Sequence, residues 1–363
     1  MNDNAHLRTI APPGLGSAST MLSWNGTCPE SPDGTRLVYL QIEKPGAEEG
    51  ETVPADLWIC NHDLTDHRKL IDLTMTCSGF QHNGAMAGWI DDARLVLRST
   101  GGGQPTIYVI DAETGDLCLD PVVGSLGHYP ARHTIFFGIE PAQVAQNPTY
   151  PAIDAAGIYG LDVDTGSVTR IVATSEILDF IEAAGYTPTE RTPRMFHVMP
   201  NPTATRVMAR WDLQECESII CTDIDGGNKV LFPHKPLHQL WYDEATYYAV
   251  DRHDTGHIYR WAPDGTRLER LAGSGNHIDM SADRQWFVTD SMYHRTPVTI
   301  SLFRRGEIEP TVELDRHTFG TPTWGLRAHA NPVFSRDGTQ VYFVRPFGER
   351  QVQAVRVDIS TFM

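Results

Sequence analysis

Short runs of alternating apolar and polar residues, separated by tight turns, recur along the whole chain. Each unit has a turn of the Ser-Pro-Asp-Gly type, a short apolar strand, a gap, a second strand and an Asp-x-x-x-Gly turn. Asp-Gly turns between alternating runs are a strong hairpin signal, because glycine adopts a positive φ without a Cβ clash. The pattern therefore predicts an all-β protein built from repeated antiparallel strands.

Several copies of this unit can be read directly from the chain. The best are SPDGTRLVYL from Ser31, WAPDGTRLERL from Trp261, SRDGTQVYFV from Ser335 and the weaker SADRQWFVTD from Ser281. Segments with the same rhythm but without the full turn are WIDDARLVLRS from Trp89, YVIDAETGDL from Tyr108, GLDVDTGSV from Gly160 and CTDIDGGNKV from Cys221. In a chain of 363 residues, such copies favour one repeat architecture over two or three separate domains.

The spacing of the copies predicts a seven-bladed β-propeller with four-stranded antiparallel blades. The blades are expected to begin near Cys28, Gly79, His128, His197, His238, His277 and His329. We expect residues 1–363 to form a single domain. The N-terminal segment, residues 1–27, is expected to close the ring by adding a strand to the last blade.

One segment departs from the strand rhythm. Between Thr174 and Thr187, apolar residues recur at helical spacing, namely Ile177, Phe180, Ile181 and Ala184. The segment predicts one short inserted helix between the third and fourth blades. This helix either packs over the edge of the ring or forms a lid over a pocket.

Composition restricts the function more than the fold. Hydrophobic residues make up 40% of the chain and charged residues 21%, which is enough apolar material for a packed core. The net charge of −17 repels phosphate backbones and anionic membranes, so neither nucleic acid nor a membrane is an expected partner. An acidic sugar could bind only where arginines and a cation reverse the local field.

Two further expectations follow from simple sequence features. The sequence has no secretory signal pattern and no apolar run of membrane-spanning length, so we expect a cytoplasmic location. The six cysteines show no CxxC pair and no metal-finger spacing, and we expect buried free thiols.

Histidines stand at equivalent points of five predicted blades. They precede or open the innermost strands, which line the channel of a propeller and can bring side chains together on one ligand. These residues are His82, His197, His238, His277 and His329. Taken singly, each is more readily a structural histidine, but the shared position favours a functional set.

The residues around His329 suggest a metal site. His329 and Asn331 alternate on a strand, so both side chains can reach one ion, and His277 on the neighbouring blade can add an imidazole. Nitrogen and oxygen donors without thiolates suit Mn, Zn, Fe or Ni. The alternative is that Asn331 only holds the turn before Pro332.

The chain resembles the oligogalacturonate lyase family, propellers related in pattern to TolB-type repeats. The likeness runs from about Cys28 to Ile359. It rests on the order of five histidine-bearing strands: FQHNGAMAGW from Phe80, FHVMPNPTATRVMARW from Phe196, HQLW from His238, NHIDMSADRQWFVTD from Asn276 and RAHANPVFSRDG from Arg327. The resemblance implies a pectin-degrading enzyme that cleaves a uronate-containing oligosaccharide by β-elimination, with a divalent transition metal, most often manganese, as cofactor.

The resemblance also implies roles for individual residues. By position, His277, His329 and Asn331 would bind the metal, and His238 would be the catalytic base. Two departures from the family pattern accompany this assignment. Asn331 stands where a histidine is expected, and the expected glutamine ligand falls near Leu326, which cannot bind a metal.

Further roles are carried over with substitutions. Water or another residue such as Gln81 would complete the metal's ligands. The family has an arginine at the start of the second strand of blade 4, and the nearest replacement is Arg210, which would bind the substrate carboxylate unless it only stacks on Trp211. His82 and His197 would hold hydroxyls or assist the leaving oxygen.

Other functions stay open on the residues alone. A propeller with TolB-like repeats can be a non-catalytic scaffold that binds a partner or peptide. A metal-dependent hydrolase or isomerase acting on another sugar or sugar acid is a further alternative. The sequence contains no serine-nucleophile elbow, P-loop or dinucleotide fingerprint.

Overall fold

The computed structural model of the chain describes residues 7–16, 18–23, 26–43, 50–76, 86–188, 193–212, 217–232, 236–252, 254–291, 297–318, 329–347 and 351–363. The strands in these residues form seven four-stranded sheets. Neighbouring strands within each sheet pair antiparallel and, except in the last sheet, follow one another in the chain. This confirms the predicted seven-bladed β-propeller.

The strands of the first four blades are consecutive in the chain, after β1 (Leu7–Thr9), which belongs to the last blade. Blade 1 comprises β2 (Ser19–Met21), β3 (Arg36–Ile42), β4 (Thr52–Asn61) and β5 (Arg68–Thr76). Blade 2 comprises β6 (Met86–Trp89), β7 (Arg94–Ser99), β8 (Thr106–Asp111) and β9 (Val122–Val123). Blade 3 comprises β10 (Ser125–Leu126), β11 (Thr134–Ile139), β12 (Gly157–Asp162) and β13 (Val168–Ala173). Blade 4 comprises β14 (Arg194–Pro200), β15 (Arg206–Asp212), β16 (Glu217–Asp223) and β17 (Val230–Phe232).

The remaining strands complete the ring. Blade 5 comprises β18 (Leu237–Trp241), β19 (Tyr247–Val250), β20 (His257–Trp261) and β21 (Arg267–Ser274). Blade 6 comprises β22 (Ile278–Met280), β23 (Trp286–Asp290), β24 (Val298–Arg304) and β25 (Val312–His317). Blade 7 comprises β26 (Val333–Phe334), β27 (Gln340–Pro346), β28 (Val352–Asp358) and β1. The first strand of each blade faces the channel, and β14 contacts β18 just as β22 contacts β26.

The Ser-Pro-Asp-Gly copies form the turns that the pattern predicts. In the first copy, the Ser31 hydroxyl donates to Asp33 Oδ1 at 2.6 Å, and Gly34 has a φ of +72°. The Ser335 copy repeats both features, and the Ser281 copy has Arg284 in the glycine position at a φ of +61°. These three turns join the first and second strands of blades 1, 7 and 6.

The copy at Trp261 has a different place in its blade. It connects β20 to β21, the third and fourth strands, and Gly265 has a φ of +89°. The Asp-Gly turn therefore marks a tight hairpin and not a fixed point of the repeat. The reason is that a positive-φ residue can close a tight turn between any two antiparallel neighbours.

The two ends of the described chain meet in blade 7. β1 pairs antiparallel with β28, with Leu7 opposite Val357 and Thr9 opposite Val355. The first blade begins earlier than predicted, because β2 pairs with β3 from Ser19 onward. The expected start near Cys28 was wrong since the three-residue β2 is too short to show alternation.

The hydrophobic core is a series of clusters between successive blades. The inserted helix, α2 (Thr174–Ala183), contacts β12 and β13 and buries Ile177 and Ile181 in the cluster that contains Trp211. This confirms the predicted helix, and its contacts are those of a packing element and not of a lid. A second helix, α1 (Pro141–Val144), was not predicted because one turn is too short to show a period.

Blades 7 and 1 are joined by a buried carboxylate. Glu30, which is 2% exposed, accepts a hydrogen bond of 2.6 Å from the Tyr342 hydroxyl and one of 2.7 Å from the Arg336 backbone N–H. His62 Nε2 lies 3.2 Å from the same carboxylate. The contacts of Glu30 with Tyr342 and Arg336 connect residues more than three hundred positions apart in the chain.

Tyr342→Phe is expected to lower the free energy of unfolding by about 1–3 kcal/mol, because a buried carboxylate loses a donor and keeps its desolvation cost. Urea denaturation measures this change. Tyr186→Phe, at an exposed ring, is the control and is expected to alter stability by less than about 0.5 kcal/mol. Equal stability of the two variants would contradict the role given to Glu30.

The cysteines and the helices bear on two expectations from the sequence. Cys28, Cys60, Cys118 and Cys221 are free thiols, as predicted. Cys60 and Cys221 are buried, but Cys28 is partly buried and Cys118 is exposed, so the expectation of burial was wrong for these two. Cys77 and Cys216 lie outside the described residues. Among the residues described above, no helix has the length and apolar character needed to cross a membrane.

Candidate active site at the channel mouth

Four consecutive blades present a polar side chain at an equivalent point, within the first strand or just before it. Each point lies four positions before the residue whose backbone N–H opens the turn into the second strand. Those turn residues are Asn201, Tyr242, Ser281 and Ser335. The residues at these points are His197, His238, His277 and Asn331. The repeat of the fold therefore aligns four of the predicted site residues at one end of the channel.

Three of these residues have a left-handed backbone. The φ angles are +53° at His197, +54° at His238 and +46° at Asn331. The β14–β15 and β18–β19 ladders break register at the two histidines. A left-handed non-glycine residue costs about 1–3 kcal/mol, and such strain concentrates where a side chain must be aimed at a functional site.

His277 is fixed by the end of the neighbouring strand. Its backbone N–H donates to Asp290 Oδ1 at 2.8 Å, and its Nδ1 lies 2.7 Å from Asp290 Oδ2. The two side chains are fully buried, and burial raises the pKa of Asp290 to about 7 and lowers the pKa of His277 to about 3. A carboxyl partner on Nδ1 fixes the ring so that Nε2 points away from Asp290, as with histidines that bind metals.

The Nε2 atom of His277 faces His329. His329 Nδ1 lies 3.0 Å from it, and the ring centroids are 4.7 Å apart. Asn331 belongs to the same cluster, since its backbone N–H donates to the Asp290 carboxylate. This hydrogen bond lowers the pKa of Asp290, but burial has the larger effect and raises it. The Oδ1 atom of Asn331 is buried without a hydrogen-bond partner among the described residues.

These donors fit a divalent cation with few protein ligands. Two imidazole nitrogens 3.0 Å apart suit neighbouring positions on one ion with metal–nitrogen bonds of about 2.1 Å, and the amide oxygen of Asn331 is a third donor. Across the residues that the structure describes, no group of three or more His, Cys, Asp or Glu side chains is placed to hold a metal. The described residues therefore hold no complete set of metal ligands.

His238 lies beside this pair. Its ring centroid is 4.2 Å from that of His277, and its Nδ1 is 3.0 Å from the backbone carbonyl of Asn276. Because a carbonyl can only accept, Nδ1 carries the hydrogen and Nε2 keeps its lone pair. Burial, followed by the neighbouring His277, holds the pKa of His238 well below its usual value, so its imidazole is neutral.

Arg210 stacks on a different ring from the one expected. Its guanidinium carbon lies 5.5 Å from the centroid of Phe196, which is its partner in the β14–β15 ladder. Trp211 is fully buried on the opposite face of the strand. The alternative of stacking on Trp211 was therefore wrong, and burial lowers the pKa of Arg210 without discharging it.

A cavity extends from His197 towards blade 2. Its volume is about 220 Å³, and its walls include Arg98, Ser125, His128, Glu140, Phe196 and His197. His128 Nε2 lies 2.6 Å from His197 Nδ1, so the two rings are directly hydrogen-bonded. The cavity lies at the same end of the channel as His238, His277 and His329.

Sequence reasoning missed two members of this region. His128 was expected only to open a blade, and Asp290 was not singled out. The register could have identified Asp290, because it ends the strand directly opposite His277. His82, Gln81 and Leu326 lie outside the described residues.

Comparison with known proteins supports the fold. No protein-family model and no curated protein matches the chain. Among solved structures, an oligogalacturonate lyase from Vibrio parahaemolyticus aligns with 99% of this chain and 95% of its own, at a TM-score of 0.65 and 12% identity. An oligogalacturonate lyase in complex with manganese aligns with 97% and 92%, at a TM-score of 0.63 and 14% identity. The chain shares the fold of these lyases.

The same fold also occurs in proteins with other activities. A structure from a study of two prolyl endopeptidases aligns with 96% of this chain and 49% of its own, at a TM-score of 0.56 and 10% identity. At such low identities the likeness establishes the propeller and leaves the activity to the residues of the site.

Proposed function

We propose that the chain is a metal-dependent carbohydrate lyase that cleaves a uronate-containing oligosaccharide by β-elimination. The observation that carries this proposal is the row of imidazoles on blades 5, 6 and 7, in which His238 lies over His277 and His277 faces His329. The oligosaccharide partner, the cytoplasmic location and the assignment of residues 1–363 to one domain stay predictions.

β-Elimination from a uronate begins with loss of the proton on C5, next to the carboxylate. In this proposal His238 accepts that proton on Nε2, because its Nδ1–H is held by the carbonyl of Asn276. The C–H electron pair forms the C4–C5 double bond, and the oxygen on C4 leaves with its bonding pair and takes up a proton. The partly exposed, neutral imidazole of His238 has the free lone pair that this role needs.

His277 and His329 would hold the cation, with Asn331 as a weaker ligand. When bound, a divalent cation such as manganese withdraws charge from the substrate carboxylate and so acidifies the neighbouring C–H bond. Asp290 supports the site by orienting His277. Manganese is the choice because it is present in one of the structurally similar lyases.

The other predicted residues would bind the sugar around this centre. Arg210 would contact the carboxylate, and its stack on Phe196 limits the orientations of its guanidinium. His197, held by His128, would bond a hydroxyl or the leaving oxygen. His82 would likewise hold a hydroxyl or assist the leaving oxygen.

The test is a turnover assay with manganese and a series of oligogalacturonates. Elimination is expected to produce the ultraviolet absorbance of a conjugated double bond, with product masses that add no water. Cleavage with addition of water would identify a hydrolase, and a rearranged sugar without cleavage would identify an isomerase. Binding without turnover would favour the scaffold function.

A further inference from the structure

His128 is held against the candidate site by three separate parts of the chain. Its backbone N–H donates to the Val198 carbonyl of blade 4 at 3.0 Å, and the preceding Gly127 N–H donates to the Phe136 carbonyl of blade 3 at 2.8 Å. The Thr27 hydroxyl donates to the His128 carbonyl at 3.0 Å. Since His128 is only 7% exposed, these bonds and the surrounding protein fix the orientation of its ring.

The fixed ring contacts His197 on the channel-facing strand of blade 4. His128 Nε2 lies 2.6 Å from His197 Nδ1, and the ring centroids are 4.8 Å apart. A hydrogen must lie between two nitrogens at this distance, because two facing lone pairs would repel each other. Both rings line the cavity of about 220 Å³ described above. Because Nδ1 of His197 faces His128, Nε2 is the nitrogen that His197 would present to a ligand.

Two imidazoles joined in this way can store one transferable proton. The neutral pair carries two hydrogens, and the protonated pair carries three, one in the bond and one on each outer nitrogen. The wall of the cavity also carries Arg98 and Glu140, whose charges are opposite in sign. A fourth hydrogen would place two donors against each other, so His128 and His197 take up a single proton and share its charge.

His197 and His238 occupy equivalent points of neighbouring blades. Their φ angles are +53° and +54°, and the strands that carry them, β14 and β18, contact each other. β-Elimination breaks the C5–H bond and the C4–O bond of one sugar residue, so the groups that accept and supply a proton must lie side by side. With His238 as the base at C5, His197 is the histidine on the adjacent blade that can serve the C4 oxygen.

We propose that His128 and His197 form a proton-sharing pair that supplies the proton to the leaving oxygen, with His197 as the catalytic acid and His128 as a positioning residue. This role rests on the proposed function, in which His238 is the base. As the C4–O bond breaks, the hydrogen on His197 Nε2 passes to the oxygen, which leaves with the bonding electron pair. The pair is then neutral, with hydrogens on both Nδ1 atoms and a lone pair on His197 Nε2. His238 releases the C5 proton to solvent, and the pair takes one up again.

The experiment compares two substrates with different leaving groups. An oligogalacturonate must protonate its leaving oxygen, whereas a galacturonate methyl glycoside with a 4-nitrophenyl group on its C4 oxygen releases a phenolate that is stable without a proton. With manganese present, His197→Asn is expected to lower kcat/KM by about 100- to 10,000-fold for the oligogalacturonate and by less than about tenfold for the nitrophenyl substrate. His238→Asn should slow both substrates alike, because both must lose the C5 proton.

Variants of His128 test whether the proton is shared. His128→Phe removes the hydrogen bond and is expected to slow oligogalacturonate elimination by about 10- to 100-fold, the range for loss of a group that orients a functional histidine. His128→Gln keeps a polar nitrogen beside His197 but cannot take up the charge, so it should be no faster than His128→Phe. Neither change should slow the nitrophenyl substrate. His67→Phe, which removes a comparable hydrogen bond to Tyr39 on blade 1, is the control and should leave both rates unchanged.

The thermal shift caused by manganese should be the same in the parent chain and in the His128 and His197 variants. Loss of that shift in His197→Asn would place His197 among the metal ligands and reject its role as the acid. Equal losses on both substrates, no loss on either, or full activity of His128→Gln would overturn the proton-sharing pair and leave the lyase standing. No elimination of either substrate by the parent chain would overturn the lyase and the acid together.

Discussion

His238→Asn is expected to reduce kcat/KM for uronate elimination by about 100- to 10,000-fold, the range for loss of a general base. Asparagine is chosen because it tolerates the φ of +54° at this position better than alanine does, so that the fold is disturbed least. The amide cannot accept the C5 proton at neutral pH. Steady-state rates with oligogalacturonate and manganese measure the change.

The variant should keep its metal, because His238 is not among the proposed ligands. His257→Ala, on the third strand of the same blade, is the matched control and is expected to retain activity. If His238→Asn keeps activity within tenfold of the parent chain, another group must remove the proton. The neighbouring left-handed histidine, His197, would then be the next residue to replace.

Loss of both His277 and His329 is expected to abolish divalent metal binding. Only Asn331 is then left of the three proposed ligands, so the affinity for the metal should be too low for the ion to stay bound during purification. Metal analysis and the thermal shift caused by added manganese measure this loss. A bound ion at 100 times its Kd contributes about 2.7 kcal/mol of stability, so the parent chain should show a clear shift and the double variant none.

Two further variants make the metal experiment specific. Asp290→Asn keeps both histidines but removes the carboxylate charge that orients His277 and accepts from the Asn331 backbone, and a loss of about 10- to 100-fold in metal affinity is expected. His133→Ala, at an exposed histidine paired with Asp164, is the control. The assignment is wrong if the double variant binds as much metal as the parent chain, with the same thermal shift.

The local charge of the site agrees with the requirement derived from composition. A chain with a net charge of −17 needs a cationic region to bind an acidic sugar. Arg98 and Arg210 each stand fifth in the second strand of their blades, blade 2 and blade 4, and both are partly exposed. Two arginines at equivalent points of two second strands are consistent with an anionic ligand.

Much of the fold could be predicted because its signals are local. Asp33 and Asp337 each accept a hydrogen bond from a serine two residues earlier, so the turn is determined by neighbours in the chain. The α2 helix was visible for the same reason, since Ile177 and Ile181 lie one turn apart and share a buried face. The start of blade 1 at β2 was not visible, because three residues carry no period.

The candidate site was only partly predictable. Strand register and the repeat explain why His238 and His277 fall at equivalent points, and these were found. The contact of His128 with His197 was not found, because it joins the connection after β10 to the first strand of blade 4, residues 69 positions apart. The left-handed backbone at Asn331 has only a weak signal in the residue type, because asparagine favours this region more than most residues but usually does not adopt it.

The sequence by itself determined the antiparallel strands, the hairpin turns, the inserted helix and the histidines at the starts of the inner strands. Each depends on residues within one hairpin or one helical turn. The tertiary structure decided which of these side chains meet: Asp290 with His277, and His128 with His197. These contacts form only when the ring closes through β1 and β28, because closure determines which blades are neighbours and which strand ends point into the channel.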